Sequence, residues 1–509
     1  MKSFERIKTI NGKEYLYLIT PYYDKNMKKI RHKSKYLGKY ENGKVTRPIK
    51  PLPTVVYSYG EFIPYNHILE ELNINNILKE ICPRKQNIAR CLVLNRLLRP
   101  LAVQNIQRWA ESTILSDECK EGLSSQSLSN FLAEIGGSSL PQHFMRRFVE
   151  RNEDAKSVVY DLTSLSSYSK LNSLLEYGYN KDGNGLPQFN LSLAVDKERG
   201  IPLVYDIYPG SIKDVSVIEN SIKRMKDTGM KFSALVLDRG FFSTSNIDGL
   251  VTNELPFIIG APFTLKAIRS IISKFHEDVE DPDLVRMHNK KSIFVKDVSA
   301  QIGTHTINGY LFYDMKREQE EKNSFYVRLY ETRDALLKAR IQKWIKPERK
   351  FESIARDLKP YFEYKVNGDH FEIDIKKKAV AQRINRMGRM VILYNGDFTW
   401  EQALSMYKEK DVVEKCFRTL KKDILASPLN AQKDDAVKGL VFIMFVALVL
   451  RFKLFDMMRC AKLEQKYSIE TLQLELEKIK KVKLQNGDIV TTEVTKKQRE
   501  ILEALGLCA

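Results

Sequence analysis

The chain has 509 residues, of which 43% are hydrophobic, 10% aromatic and 29% charged, with a formal net charge of +19. That length exceeds one compact core and that composition excludes a disordered or fibrous chain, while so large a basic excess implies a polyanionic partner, nucleic acid first. The first 50 residues hold 14 Lys or Arg against 4 Asp or Glu, so +10 of the +19 sits there.

In that opening segment KEYLYLITPYYD alternates and KNMKKIRHKSKYLGKY interleaves basic with aromatic side chains, a pattern of short strands expected over residues 1–57. Helical periodicity follows in HILEELNINNILKEIC, ARCLVLNRLLRPLAVQNIQRWAEST and SSQSLSNFLAEIG, separated by Pro, Gly and Ser clusters, which predicts an all-α region over 58–150.

From 155 to 264 the order becomes three strands joined by short turns (SVVYDLTSL, PQFNLSLAVD, IPLVYDIYP), then alternating helix and strand, which predicts a mixed α/β sheet flanked by helices. Two of these strands, SVVYDLTSLSS and ALVLDRGFFS, run apolar residues straight into an acid. Asp161 and Asp238 are thus expected at the tips of central strands, on one shared site.

Residues 265–388 are charge-dense and without repeats, and are expected to form an inserted, β-rich subdomain; the KREQEEK run within it reads as a solvated helix or loop, and Trp344 as an anchor of helix packing. A last strand, RMVILYN, precedes a helix start at Thr399 with Gln402 at capping-box spacing, and the helix is expected to run about 25 residues within a segment spanning 389–458. Its apolar run GLVFIMFVALVL, 12 residues between Lys438 and Arg451, is shorter than the roughly 18 needed to cross a bilayer and reads as a buried helix. Residues 459–509 are expected as a helical tail. The six cysteines form no C-x-x-C pair, the seven histidines show no metal-ligand spacing, and the first residues lack an apolar signal segment, so a reducing, cytoplasmic location is expected.

Paired carboxylates repel unless a cation lies between them, and hard oxygen ligands of this kind suit Mg²⁺ or Mn²⁺. A third acid is offered by Glu414, with Tyr407, Lys410, Arg418 and Lys421 at i−7, i−4, i+4 and i+7 on the same helical face. Taken alone, each acid also has a structural explanation. Asp161 and Asp238 would serve as turn formers after strands, and Glu414 as an i to i+4 ion partner of Arg418; Asp196 fits a β-turn and Asp214 a helix N-cap.

The stretch YKEKDVVEKCFRTLK resembles the Tyr-x2-Arg-x3-Glu-x6-Lys signature of prokaryotic insertion-sequence DDE transposases, standing here as Tyr407, Lys410, Glu414 and Lys421 with lysine in place of the usual arginine. VYDLTSLSS, YPGSIKDVSVIE and LVLDRGFFS resemble that family's first and second acidic motifs in the same order. The resemblance implies an RNase H-like catalytic fold interrupted by an insertion, with Asp161, Asp238 and Glu414 as the metal-holding triad. It implies two divalent ions per site, with Tyr407, Lys410, Arg418 and Lys421 contacting DNA. It further implies cleavage at the terminal inverted repeats of the element, joining of the freed 3′-OH to target DNA, and a homodimer acting on paired ends. A DNA-binding relative without catalysis, and a nuclease that cuts without joining, are the alternatives left open.

Overall fold

Ala234–Leu237 and Phe257–Gly260 are short, wholly buried strands of small and branched apolar residues, and they lie parallel in the middle of the main sheet. A computed structural model describes the chain except for residues 1–2, 25–26, 28, 42, 47–51, 120, 152–156, 168, 170–172, 177–185, 212–217, 231–232, 276–280, 343, 425–430, 432 and 508–509. Asp214 therefore lies outside the described residues.

The sheet has nine strands, in the order Val285–His288, Lys291–Ile302, His305–Tyr313, Arg389–Asn395, Phe257–Gly260, Ala234–Leu237, Ser157–Ser166, Gln188–Asp196 and Pro202–Pro209. Its last three strands are antiparallel to one another, and the Ser157–Ser166 strand then pairs in parallel with Ala234–Leu237. This is the RNase H-like mixed sheet that the sequence leads one to expect. The connections differ in one respect: only the turn at 197–201 is short, whereas 21 residues separate Ser166 from Gln188. In that turn Asp196 accepts backbone N–H bonds from Glu198 (2.9 Å) and Arg199 (3.4 Å), the turn role its sequence suggests.

Helices cover the sheet. Asp434–Cys460 contains the 12-residue apolar run, buried as expected, and wedges between the sheet and the helices that precede it, with Phe442 edge-on to Phe144 (5.3 Å) and Phe445 against Tyr205 (4.8 Å). It meets the Ser125–Gly136 helix at backbone distance. A Cβ on Gly439 would stand 1.9 Å from the Leu132 carbonyl oxygen and one on Gly136 1.9 Å from that of Asp435, so both positions exclude a side chain. Among the described residues, no helix is long and apolar enough to cross a membrane.

Three expectations change here. The inserted region is mixed rather than β-rich, because its Lys291–Ile302 and His305–Tyr313 strands continue the main sheet through Arg389–Asn395, while a 24-residue helix, Met315–Lys338, starts at the KREQEEK run. The part with its own apolar core lies between Phe325 and Met387, around Leu329, Leu336, Phe351 and Phe371. Trp344 anchors nothing: it is 81% exposed, since the helices nearby bury phenylalanines and leucines instead. The C-terminal segment is not wholly helical, since Lys480–Leu484 forms a strand paired on one side with Pro53–Ser58 and on the other with the Ile489–Thr491 strand.

By its internal contacts the chain divides into residues 61–476 with 495–509, and residues 1–60 with 477–494. The smaller unit contains that three-stranded sheet and a four-stranded one, Phe4–Ile10, Lys13–Asp24, Lys29–Glu41 and Lys44–Thr46. On one face of the latter, Tyr17 lies beside Tyr36 (5.5 Å) and beneath the Lys8 ammonium (4.8 Å), so basic and aromatic groups share a surface.

Candidate active site

The ALVL strand ends because Asp238 turns the chain into a single 3₁₀ turn, Arg239–Phe241, with the Phe241 N–H donating to the Asp238 carbonyl (3.1 Å). Phe241 plugs the core edge-on to Tyr160 (5.3 Å), and Asn246 donates to the Phe241 carbonyl (2.7 Å), so the loop carrying Asp238 is held from below. Apolar anchoring fixes the acid's backbone and leaves its carboxylate at the surface.

Asp161 is not at a strand end. Its strand continues to Ser166 because pairing with Gln188–Asp196 persists on that side, Asp161 facing Leu193. On the other side the parallel pairing stops at Tyr160 opposite Leu237. The next residue on each strand is an acid, so Asp161 and Asp238 occupy neighbouring positions just beyond the last parallel pair. Asp161 accepts the Leu162 N–H at 2.7 Å.

The helix begun by the Thr399 and Gln402 capping box spans only Trp400–Lys408; a second, Asp411–Lys422, follows. The break falls in the charged run Lys408–Asp411, where no apolar residue seats the chain and Glu409 is drawn to Lys197 (2.9 Å). The second helix buries Val413, Cys416, Phe417 and Leu420, leaving Glu414 and Arg418 exposed. No ion pair links Glu414 to Arg418 among the described residues.

The signature residues Tyr407 and Lys410 converge on Asp238. The Lys410 ammonium lies 2.5 Å from Asp238 Oδ1, and the Tyr407 hydroxyl donates to the same oxygen at 3.3 Å. Tyr407 reaches it by lying over Gly260, where a Cβ would stand 2.2 Å from the hydroxyl. Burial pushes the Asp238 carboxyl up, and the Lys410 hydrogen bond and charge outweigh it, holding the group below its ordinary value. Burial lowers Lys410 and raises Tyr407; for Lys410 the bond to Asp238 prevails and its net shift is upward.

The structure thus brings together Asp238, Tyr407 and Lys410, with Asp161 on the adjoining strand. Glu414 is near enough for its charge to act on Lys410, but among the described residues no three acid, histidine or cysteine side chains gather closely enough to hold a metal ion. The donor set is nevertheless of the type a hard divalent cation takes: two carboxylates side by side, a third on the helix packed over the Asp161 strand, all reachable from solvent.

Asp238 also lines an open cavity of about 630 Å³ whose far wall is the turn before the last strand, QRINRMGR, with Arg383, Arg386 and Arg389 at three-residue intervals. Sequence reasoning passes over this repeat; the signal that finds it is the R-x2-R-x2-R spacing just ahead of a strand that borders the acidic site.

Residues 154–450, more than half of the chain, match the family described as Transposase DDE domain. The chain belongs to that family. A search of curated proteins finds no match. Among solved structures, a piggyBac transposase synaptic complex with hairpin DNA is similar over 77% of this chain and 69% of that one, at 9% identity and a TM-score of 0.35. As a DDE transposase, the protein has a function in DNA transposition, and its matched span contains all three acids and both signature helices.

Proposed function

We propose that this transposase cuts DNA at the ends of its own insertion sequence and joins the freed 3′-OH to target DNA, with Asp161, Asp238 and Glu414 as the acids of the active site. One observation carries the reading: Asp161 and Asp238 stand next to each other beyond the last parallel pair, Tyr160 and Leu237. Two carboxylates placed so by backbone register are costly unless a cation joins them.

Asp161, Asp238 and Glu414 would hold Mg²⁺ or Mn²⁺, two ions per site. When bound, these supply Lewis-acid polarisation of the scissile phosphate and a more acidic water. The chain's own residues do the positioning. Lys410 and Tyr407 fix the Asp238 carboxylate from one side, and Lys410 is the residue that must let go for a cation to take its place. Arg418 and Lys421, on the second signature helix, would meet backbone phosphate of double-stranded DNA, which orients the strand without reading its bases. The basic 1–50 segment would hold the duplex of the element's inverted repeats. The enzyme would act as a homodimer across paired ends, in a prokaryotic cytoplasm beside the nucleoid.

The test is incubation of purified wild type and Glu414→Gln with labelled DNA carrying the gene's own flanking ends, with and without Mg²⁺ or Mn²⁺, scoring cut and joined strands. Metal-dependent cutting and joining by the wild type alone is expected. Cutting without joining would establish a nuclease instead, and binding without cutting by both proteins would establish a relative that only binds DNA. Deleting residues 1–50 is expected to weaken end binding and flatten its salt dependence; an unchanged slope would remove the N-terminal segment from DNA binding. Sedimentation of the protein on two joined ends reports the homodimer, and a monomer there would refute it.

A further inference from the structure

The cavity beside Asp238 carries more positive charge than its acids balance. Three of its cations are engaged: Arg317 with Glu321 (2.8 Å), Lys410 with Asp238 (2.5 Å) and Arg389 near Glu318 (3.7 Å). Arg239, Arg383, Arg386 and Lys408 line the same space and have no ion pair among the described residues. Arg389 belongs to the wall rather than to the open space. It is only 5% exposed, its guanidinium lies 4.8 Å from the Tyr313 ring centre, and its Nε has no hydrogen-bond partner. Arg389 therefore braces the wall from behind, and the cations open to the cavity are the four without ion pairs.

This wall is built rather than incidental. Gly388 has φ +68°, and a Cβ there would stand 2.5 Å from Glu318 Cβ and 2.7 Å from the Asp314 carbonyl oxygen, so the turn before Arg389 presses against the start of the Met315–Lys338 helix. The Gly388 N–H donates to Glu321 (2.9 Å), the Gly388 carbonyl accepts from the Asp314 N–H (2.9 Å), and Arg389 donates to the Asn385 carbonyl (2.7 Å). The Lys377–Ile384 helix, which carries Arg383, ends in this clamped turn.

We propose that the cavity is a second phosphate-binding site, in which Arg383 and Arg386 grip the phosphodiester backbone of the strand that runs on past the bond held at Asp238. The proposal rests on the DNA-cleaving reading of the acidic pair, and adds that the inserted region, not only the signature helices, holds the substrate strand. Guanidinium forks suit phosphate oxygens, and a volume of about 630 Å³ falls within the roughly 300–1,000 Å³ that holds small ligands. Because the contact is to backbone, it confers grip and register without base preference.

The experiment compares full-length wild type with Arg383→Ala/Arg386→Ala, binding a duplex with the gene's flanking end and an unrelated duplex over a range of salt. A control, Lys377→Ala/Lys378→Ala, removes two exposed charges from the same helix outside the cavity. The arginine double variant is expected to bind both duplexes more weakly, with a slope of log affinity against log salt shallower by about 1.4–1.8, as for two lost phosphate contacts. Arg383→Lys/Arg386→Lys restores the slope, and the lysine control leaves it near wild type.

An unchanged slope in the arginine variant, or an equal change in the control, overturns the phosphate site while wild-type cleavage keeps the transposase reading intact. A wild type that neither binds nor cuts DNA overturns both. Equal thermal melting of the variants confirms that folding is not the cause.

Discussion

The two halves of the nine-stranded sheet bring opposite charge to one space. In the RNase H-like half, short buried strands bring two carboxylates to neighbouring positions by register alone. In the half added by the inserted region, long antiparallel strands border a turn whose arginines approach the same space from the far side. Acid placement there depends on strand pairing fixed in the core, and base placement on a clamped turn and a helix end at the surface. On the proposed reading, such a site would keep its chemistry constant while its grip on the strand varies.

Breaking the acidic half is expected to have the largest effect. Asp161→Asn or Asp238→Asn should reduce cleavage to background with DNA binding retained, and ordinary cleavage by either variant would remove that acid from the site. Next, Phe351→Ala opens the inserted region's own core at a cost of about 3–5 kcal/mol, and hydrogen exchange should show the segment 325–387 losing protection while Ala234–Leu237 keeps it. Loss of protection in both places at once would mean that the two halves share one cooperative core.

A sharper cut is Gly260→Ala. The added methyl must displace Tyr407 and with it the 3.3 Å bond to Asp238, so cleavage should fall by the roughly 10- to 100-fold that loss of a hydrogen bond to a charged group brings. Tyr407→Phe, which removes the hydroxyl but not the packing, should do less; equal losses would mean that the hydroxyl alone matters.

The smallest effect concerns pH. Burial raises Asp206 above its ordinary 3.8, with Arg224 at 2.6 Å opposing. A carboxyl raised in the folded state binds its proton more tightly there than in the unfolded chain. Stability therefore falls as pH rises from 3.8 through the folded value. Asp206→Asn should remove that decline in urea unfolding measured across pH 3–6, and a variant with the wild-type profile would show that Asp206 does not titrate in this window.

What the sequence reveals follows from what each feature depends on. ALVL and SVVY are legible as buried strands because local composition and the acid that follows suffice, and Thr399 with Gln402 starts a helix because a capping box is a local device. The break at Lys408–Asp411 is not legible, since Lys410 meets a carboxylate 172 residues away. Asp161 appears at a strand end only from its own chain; its far neighbour, Gln188–Asp196, carries the strand on to Ser166. Trp344 looks like a core residue by type, and its exposure depends on which phenylalanines fill the inserted core first. The Lys480–Leu484 strand alternates weakly and needs the Pro53–Ser58 edge to be recognised.

That last pairing has a consequence for the order in which the molecule can be completed during synthesis. Lys480–Leu484 closes onto Pro53–Ser58 across more than four hundred residues, so the Pro53–Ser58 strand waits for a partner that is made long after it. The basic N-terminal unit gains its second sheet only after the acids, the inserted region and the signature helices have all been made. A nascent chain would thus have the strands and helices that carry the three acids in hand before the unit richest in positive charge is finished.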